Sequence, residues 1–394
     1  RLSGASLRGK ELNIRRKIMR LLHISDLHLG KRVNEYSMLE DQAHILEQIL
    51  KIADQEQAQG VLIAGDVYDK PVPPAEAVRL LDYLLSSFAD RKIPVFFISG
   101  NHDSRDRLSF GAELFKKSGV YMASEGFLEK VDREDEYGEL SIWLMPFLKP
   151  AQVRSVYPEK DIQTYTDAVR AVLEEADLDP AKRNILVAHQ FVAGAVQCES
   201  EEVSIGGLDQ VDVSVFDGFE YVALGHLHRP QSVTRETVRY CGTPLKYSFS
   251  EVHDQKSVTI VELKEKGETA IKTVPLTPLR DMKELKGTYL QLTSRPFYET
   301  QERDSYFHIT LTDEEDVMDA VGKLRMIYPN LMKLDYDNVR VRTQMQYEEM
   351  EAVEQKRPDE VVAEFYQVVN GRPLSDEQSK LVEEMMEEVW EEER

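Results

Sequence analysis

Cysteine is nearly absent. The 394 residues contain two, Cys198 and Cys241, and neither sits in a Cys-x-x-Cys pair. That argues against a disulfide framework and a thiolate zinc site, and leaves two free thiols suited to a reducing, cytoplasmic setting. Long apolar runs are missing too. No stretch approaches the roughly 18 consecutive apolar residues of a membrane span, and no secretory signal is evident, so we expect no membrane association. Positive charge is in short supply: 49 Lys and Arg against 71 Asp and Glu give a net charge of −22. By itself this speaks against a chain that grips nucleic acid by charge. The deficit is uneven, however, with residues 347–394 supplying about half of it. Part of the rest is expected to be carboxylates gathered to hold cations, so net charge bounds solubility here and not substrate.

What remains is an ordinary globular composition, 42% hydrophobic and 30% charged, in a chain long enough for more than one domain. Residues 1–18 are basic and carry little apolar pattern. We read Met19 as the natural start and the leader as a vector-derived or upstream extension, with a short native arm as the other reading. From Met19 to about Phe249, short apolar runs alternate with helical patterns. LLHIS (21–25), VLIAG (61–65), VFFIS (95–99), ILVAH (185–189) and YVALG (221–225) read as buried strands. Helices are expected over Tyr36–Gln57, Ala75–Phe88, Arg107–Lys117 and Asp161–Ala176. Strands at Thr237–Cys241, Ser257–Lys264 and Thr269–Val274 read as a second sheet, the last two as a hairpin around Lys266-Gly267. The fold class is therefore α/β: a two-sheet sandwich flanked by helices, over residues 19–280. A small α+β unit is expected over 281–345, with strands Thr288–Leu292, Tyr306–Leu311 and Met332–Val341 and a helix Glu314–Tyr328. A helical segment is expected over 346–394, with helices Glu360–Val369 and Asp376–Trp390.

Each of the five early strands ends in potential metal ligands. In order they are Asp26-Leu27-His28, Gly65-Asp66 (with Asp69 beyond), Gly100-Asn101-His102-Asp103, His189, and Gly225-His226-Leu227-His228. In α/β sheets such groups gather at the carboxyl ends of strands. Aspartate, histidine and an amide oxygen without thiolate suit hard or borderline divalent ions such as Mn²⁺. Two ions about 3.5–4 Å apart can share a carboxylate, and Asp66, on a central strand, is the natural bridge. Gly30, Gly65, Gly100 and Gly225 are expected to let the backbone turn beside the ions. Taken singly, each motif has a plain reading: Asp-x-His and Gly-Asp are common turns, Asn and Asp fill loops, and a lone histidine is usually a packed one. All five in order, each after a strand, are hard to ascribe to coincidence. His23 is expected to be a core residue, and His44, His253 and His308 have no ligand partner near in sequence.

This order of motifs resembles the calcineurin-like metallophosphoesterases over about 230 residues. Within that superfamily, SGNHDS (99–104) with Arg107-Leu108, YVALGHLHRP (221–230) and RYCGTPLKYSFSEVHDQKSV (239–258) resemble the SbcD family of bacterial nuclease subunits. The resemblance implies that Asp26, His28, Asp66 and His228 hold one ion, that Asp66, Asn101, His189 and His226 hold the other, and that His102 is the catalytic histidine. It also implies a DNA substrate, a capping domain, C-terminal helices that bind an SbcC-type ATPase, and a homodimer whose interface could draw on Ala75–Phe88 and Arg107–Lys117. The implied activity is Mn²⁺-dependent hydrolysis of phosphodiesters in DNA. His102, one residue past a ligand, can protonate the leaving oxygen or merely orient a phosphate. Lys31, Arg32, Arg105 and Arg107 flank the motifs and could meet phosphates, or be ordinary surface.

A small-nucleotide phosphodiesterase or phosphatase of the same superfamily would use the same ligands. A non-catalytic ATPase-regulating scaffold with a vestigial site is the other alternative, and the complete ligand set argues against it. The regions beyond residue 280 discriminate, because a small-molecule enzyme has little use for a cap and amphipathic tail helices. Val361, Val362, Phe365, Val368 and Val369 form one apolar stripe there; Leu381, Val382, Met385, Met386, Val389 and Trp390 form another. Such stripes pack on the parent domain or lie in a partner's groove.

Overall fold

Alternating apolar residues build two six-stranded sheets that pack face to face. The computed structural model describes residues 19–198, 201, 209–339, 366, 374–375, 378–380 and 382. The leader and nearly all of the expected tail helices and their apolar stripes lie outside these described residues. The chain divides into two compact units, Arg1–Lys283 and Glu284–Arg394.

In the first unit, one sheet runs in the order Thr269–Pro275, Ser257–Leu263, Met19–Ile24, Gly60–Ala64, Val95–Ile98, Val120–Met122. Its four early strands are parallel, and the late hairpin adds antiparallel to Met19–Ile24, with Leu21 opposite Val261. The other sheet runs Gln231–Val233, Arg235–Tyr240, Tyr221–Gly225, Arg183–His189, Gly138–Met145, Glu129–Asp135. One side of each strand fills the space between the sheets: Leu21, Leu62, Ala64, Phe96 and Ile98 meet Leu140, Ile142, Leu144, Ile185, Val187 and Ala223. Side chains of opposite parity, Leu186, Ala188, Val222 and Leu224, pack in a separate core with Val169 and Val172 of the helix Tyr165–Glu174. Burial on both faces explains why these strands read as unbroken apolar runs.

The two-sheet sandwich is as expected; several element assignments are not. The hairpin Ser257–Leu263/Thr269–Pro275 joins the first sheet, and the second sheet instead contains the fourth and fifth motif strands. Helix Leu39–Gln55 starts later than expected because Tyr36–Ser37 pairs with Arg32–Val33. Arg107–Lys117 is two short helices, Arg105–Leu108 and Ala112–Lys116, separated where Gly111 takes φ 79°. The helix expected from Asp161 begins at Tyr165, where Thr164 and Asp167 form a reciprocal capping box.

The second unit is built on a three-stranded sheet, Met282–Gly287, Tyr306–Leu311, Leu331–Tyr336. Thr288–Leu292 is not a strand. Thr288 caps the short helix Tyr289–Leu292 by accepting from the Gln291 backbone N–H. The helix expected over Glu314–Tyr328 is confined to Ala320–Arg325, after Asp319 in the left-handed region at φ 50°. Phe307, Ile309, Leu311, Leu324 and Tyr328 form this unit's own core. Among the described residues no helix is long and apolar enough to cross a membrane.

Candidate metal centre

The tips of the strands are stitched together before any side chain is considered. The Asp26 N–H donates to the Gly65 carbonyl at 3.0 Å, and the His28 N–H donates to the Asp66 carbonyl at 2.9 Å. Asp103, the last residue of the third motif, is taken up by the backbone. Its carboxylate accepts from the backbone N–H groups of Val67, Tyr68 and Gly100 at 2.9–3.0 Å, tying the second strand end to the third. The His102 N–H donates to Asp66 Oδ1 at 2.9 Å, and the His226 N–H to Asp26 Oδ1 at 3.0 Å. Asp26, His28, Asp66 and His226 all have positive φ, between 44° and 105°. Non-glycine residues adopt such angles rarely, and clusters of them mark functional sites where surrounding structure holds the strain.

The seven expected ligands, Asp26, His28, Asp66, Asn101, His189, His226 and His228, come together in one buried cluster. Asp26, His28, Asp66, His189 and His228 are at most 2% exposed. Asp66 Oδ2 lies 3.4 Å from His189 Nε2, 3.8 Å from His28 Nε2 and 3.9 Å from His102 Nε2. Asn101 Oδ1 stands 2.9 Å from His189 Nε2 and 3.0 Å from His226 Nδ1. His28 Nε2 and His228 Nε2 face each other at 3.2 Å. Asp26 with His28 and His228, Asp26 with Asp66 and His189, and His28 with Asp66 and His102 each bring their donor atoms within 4.8 Å of one another.

Burial and the charges of neighbouring groups together set the protonation here. It lowers the His226 imidazole to about 3 and holds His28 and His228 well below the ordinary range, so their lone pairs are available. Burial also lifts the Asp26 carboxyl to about 7, opposed by the charge of His189. At Asp66 burial acts in the same direction, but the surrounding imidazoles outweigh it and keep this carboxylate ionised. His189 is driven down by burial and up by Asp66, and ends raised to about 9.

Similarity to known proteins bears on this cluster. Residues 19–230 match the family described as calcineurin-like phosphoesterase, and residues 278–370 match the type 5 capsule protein repressor C-terminal domain. The SbcD subunit of nuclease SbcCD from Staphylococcus saprophyticus is 34% identical over 379 residues, covering 95% of this chain and 99% of that one. The protein of the same name from Staphylococcus epidermidis is 33% identical over 377 residues, covering 93% and 98%. The chain belongs to the SbcD family of calcineurin-like phosphoesterases. It is accordingly a metal-dependent hydrolase of phosphate esters. A solved dimetal phosphatase from Danio rerio superposes at a TM-score of 0.41 and 14% identity over 66% of this chain and 98% of that one, too distant to bear on the chemistry.

The donor set fits the divalent ions this family implies. Ligand bonds of about 2.0–2.2 Å place neighbouring donors roughly 3–3.4 Å apart around a common ion. The His28–His228, His189–Asn101 and His226–Asn101 spacings match that, and a cation would neutralise two carboxylates that are costly to bury otherwise. His189 Nδ1 lies 2.8 Å from the Ala64 carbonyl, which directs Nε2 into the cluster.

Some glycines of the SbcD motifs act differently from expectation. Gly30 and Gly65 do take positive φ. Gly100 and Gly225 do not; they give clearance instead. A Cβ on Gly100 would stand 2.1 Å from Asp66 Oδ1, and one on Gly225 would stand 1.8 Å from the Ala64 carbonyl oxygen. Asp69, beyond the second motif, is mostly buried. Its Oδ1 lies 3.6 Å from His28 Nδ1 and 2.8 Å from Lys31 Nζ, and its carbonyl lies 3.2 Å from His102 Nδ1. Of the four cations considered for phosphate, Lys31 is thus engaged by Asp69, Arg105 donates to the Gly126 carbonyl, and Arg32 to the Glu35 carbonyl. His23 lies buried in the sandwich as expected, 2.8 Å from the Tyr221 hydroxyl.

Sequence reasoning missed the residues that hold the ligand loops. Gln42, on the first helix, donates to the His28 carbonyl at 2.7 Å, and Tyr247 donates to the Leu27 carbonyl at 2.7 Å. The His228 carbonyl accepts from Lys256 Nζ at 2.8 Å and from the Thr243 N–H at 3.1 Å, and buried Glu251 pairs with Lys256 at 2.5 Å. All but Gln42 fall in the 239–258 stretch, which gives that family-specific segment a physical role: it fixes the loop carrying His228.

Proposed function

We propose that this chain is the nuclease subunit of an SbcCD-type complex, hydrolysing phosphodiester bonds in DNA with two Mn²⁺ ions. Its reactions would be exonuclease action on double strands and endonuclease action on single strands and hairpins, in DNA end processing. The observation that carries the reading is the convergence of seven donors from five strand ends around Asp66. Asp26, His28, Asp66 and His228 would hold one ion, and Asp66, Asn101, His189 and His226 the other. Ions held there would make hydroxide available near neutral pH and offset charge on the phosphate.

The chain's own residues would supply the rest. Donation by His102 Nδ1 to the Asp69 carbonyl leaves Nε2 as the end of the ring that reaches the cluster. His102 is 19% exposed in its side chain, so a substrate oxygen can approach it. A protonated Nε2 can then deliver its proton to the departing oxygen. Asp66, bonded by the His102 N–H, fixes the distance between ligand and acid.

The names of the staphylococcal relatives point to assembly with an SbcC-type ATPase, and the 346–394 segment is our proposed contact. For a homodimer, a groove of ≈ 360 Å³ beside helix Ala75–Asp90, with exposed Phe110 (83%) and Phe115 (39%), offers an apolar surface. The direct test is cleavage of linear and hairpin DNA with Mn²⁺, with and without the ATPase. Activity that Asp66→Asn abolishes supports the reading. A wild-type protein that cleaves small phosphodiesters but no DNA refutes it.

A further inference from the structure

A pocket of ≈ 210 Å³ opens beside the Asn101–His226 half of the cluster, and those two side chains form part of its lining. Its walls include Phe147, Tyr165 and Phe191, with the exposed Lys149 at its rim. The aromatic walls are continuous with the ligands. Phe147 stacks on His226 at 6.2 Å between centroids and 19° between planes, Phe191 lies 6.3 Å from the same ring, and Tyr165 lies 6.3 Å from Phe147. Side chains this large are normally spent on a core. Phe191 is, but Phe147 and Tyr165 are only half-buried and keep part of their surface toward the pocket.

Size and charge restrict the occupant. The volume is below the roughly 300 Å³ at which drug-sized pockets begin, so it suits a single ring system and excludes a base pair. The buried carboxylate of Asp209 also lines it. That charge repels a phosphate from the pocket itself and offers an acceptor to amino or imino N–H groups. Lys149, outside at the rim, is placed for the backbone phosphate instead. Flat aromatic walls, an acceptor within and a cation at the mouth are the chemistry that takes an unpaired base.

We propose that this pocket is a nucleobase subsite, which receives one unstacked base of the nucleotide next to the scissile phosphate. This rests on the nuclease reading and narrows it: the nucleotide is drawn out of the duplex before its phosphodiester is cut. Stacking on aromatic side chains favours binding by roughly 5- to 150-fold per base, so removing the base costs about tenfold.

The test compares two duplexes in Mn²⁺ whose terminal nucleotides are mismatched and so already unpaired, identical except that one carries tetrahydrofuran abasic residues at both ends of each strand. The readout is the ratio of kcat/KM for release of the terminal nucleotide. Wild type should favour the normal duplex by about tenfold, and Phe147→Leu and Tyr165→Leu should each bring the ratio toward one. Weakened metal binding slows both duplexes alike and cancels in the ratio, so a disturbed centre cannot imitate the effect. A wild-type ratio near one, or variants that keep the wild-type ratio, overturns the subsite while leaving the nuclease reading in place. Hydrolysis of bis(p-nitrophenyl) phosphate with neither duplex cut overturns the nuclease reading itself.

Discussion

Replacing His102 by alanine separates its role from that of its neighbours. The link from this residue to Asp66 runs through the backbone N–H at 2.9 Å, which alanine retains. The ring contributes the Nδ1 contact to the Asp69 carbonyl, an edge contact with the His28 ring at 4.9 Å between centroids, and an Nε2 poised 3.9 Å from Asp66 Oδ2. Metal binding should therefore survive: calorimetry should find two Mn²⁺ per chain in both proteins. Loss of a general acid costs about 10²–10⁴ in rate, or roughly 2.7–5.4 kcal/mol of barrier. That cost applies to DNA, whose leaving alkoxide needs a proton. It should shrink to a few-fold for a p-nitrophenyl ester, which departs as a stable anion. The assay is kcat for both substrates at saturating Mn²⁺. Equal losses on the two would show that His102 orients phosphate without transferring a proton. Loss of metal would show that it is a ligand.

Asp66→Asn should remove both ions together, whereas His228→Gln should weaken one; metal stoichiometry by mass spectrometry distinguishes them. Lys256→Met leaves the buried Glu251 carboxylate without its 2.5 Å partner and should cost about 3–5 kcal/mol in urea unfolding. Lys256→Met with Glu251→Leu should recover part of that, and additive losses would argue against a coupled pair. Gly100→Ala would drive a methyl against Asp66 Oδ1, so Mn²⁺ affinity should fall at both ions, read by calorimetry. Acid stability should depend on His23, whose imidazole burial lowers from 6.5 to about 3. The unfolded chain then binds the extra proton, so this contribution is intact above pH 6.5 and is lost as pH falls toward 3. His23→Gln should flatten the fall in Tm across that window, and an unchanged slope would contradict it.

The convergence of the candidate ligands was legible because its signals are local. Each candidate ligand ends or closely follows its strand, and a strand's apolar run and the polar residues at its end lie within one short window. Partnership between distant strands left no such trace. Nothing in Ser257–Leu263 says that it pairs with Met19–Ile24 and not with Tyr221–Gly225, since both neighbours demand the same β-branched run. The hairpin Glu129–Asp135/Gly138–Met145 was hidden by its first strand, EKVDRED, in which Val131 is the only apolar residue. Gly138, at φ 100°, was the available turn signal. Gln42 could not have been found from its helix, because its partner carbonyl lies on another element. Asp103 stands inside a motif of potential ligands. Its work is to gather three backbone N–H groups, a role visible only once the loops are in place.

The most direct measurement is anomalous diffraction from crystals soaked in MnCl₂. Two peaks about 3.5–4 Å apart, with Asp66 in contact with both and Asn101, His189 and His226 around one of them, are the predicted result. A lone peak, or manganese bound anywhere but among these strand tips, would contradict the central claim.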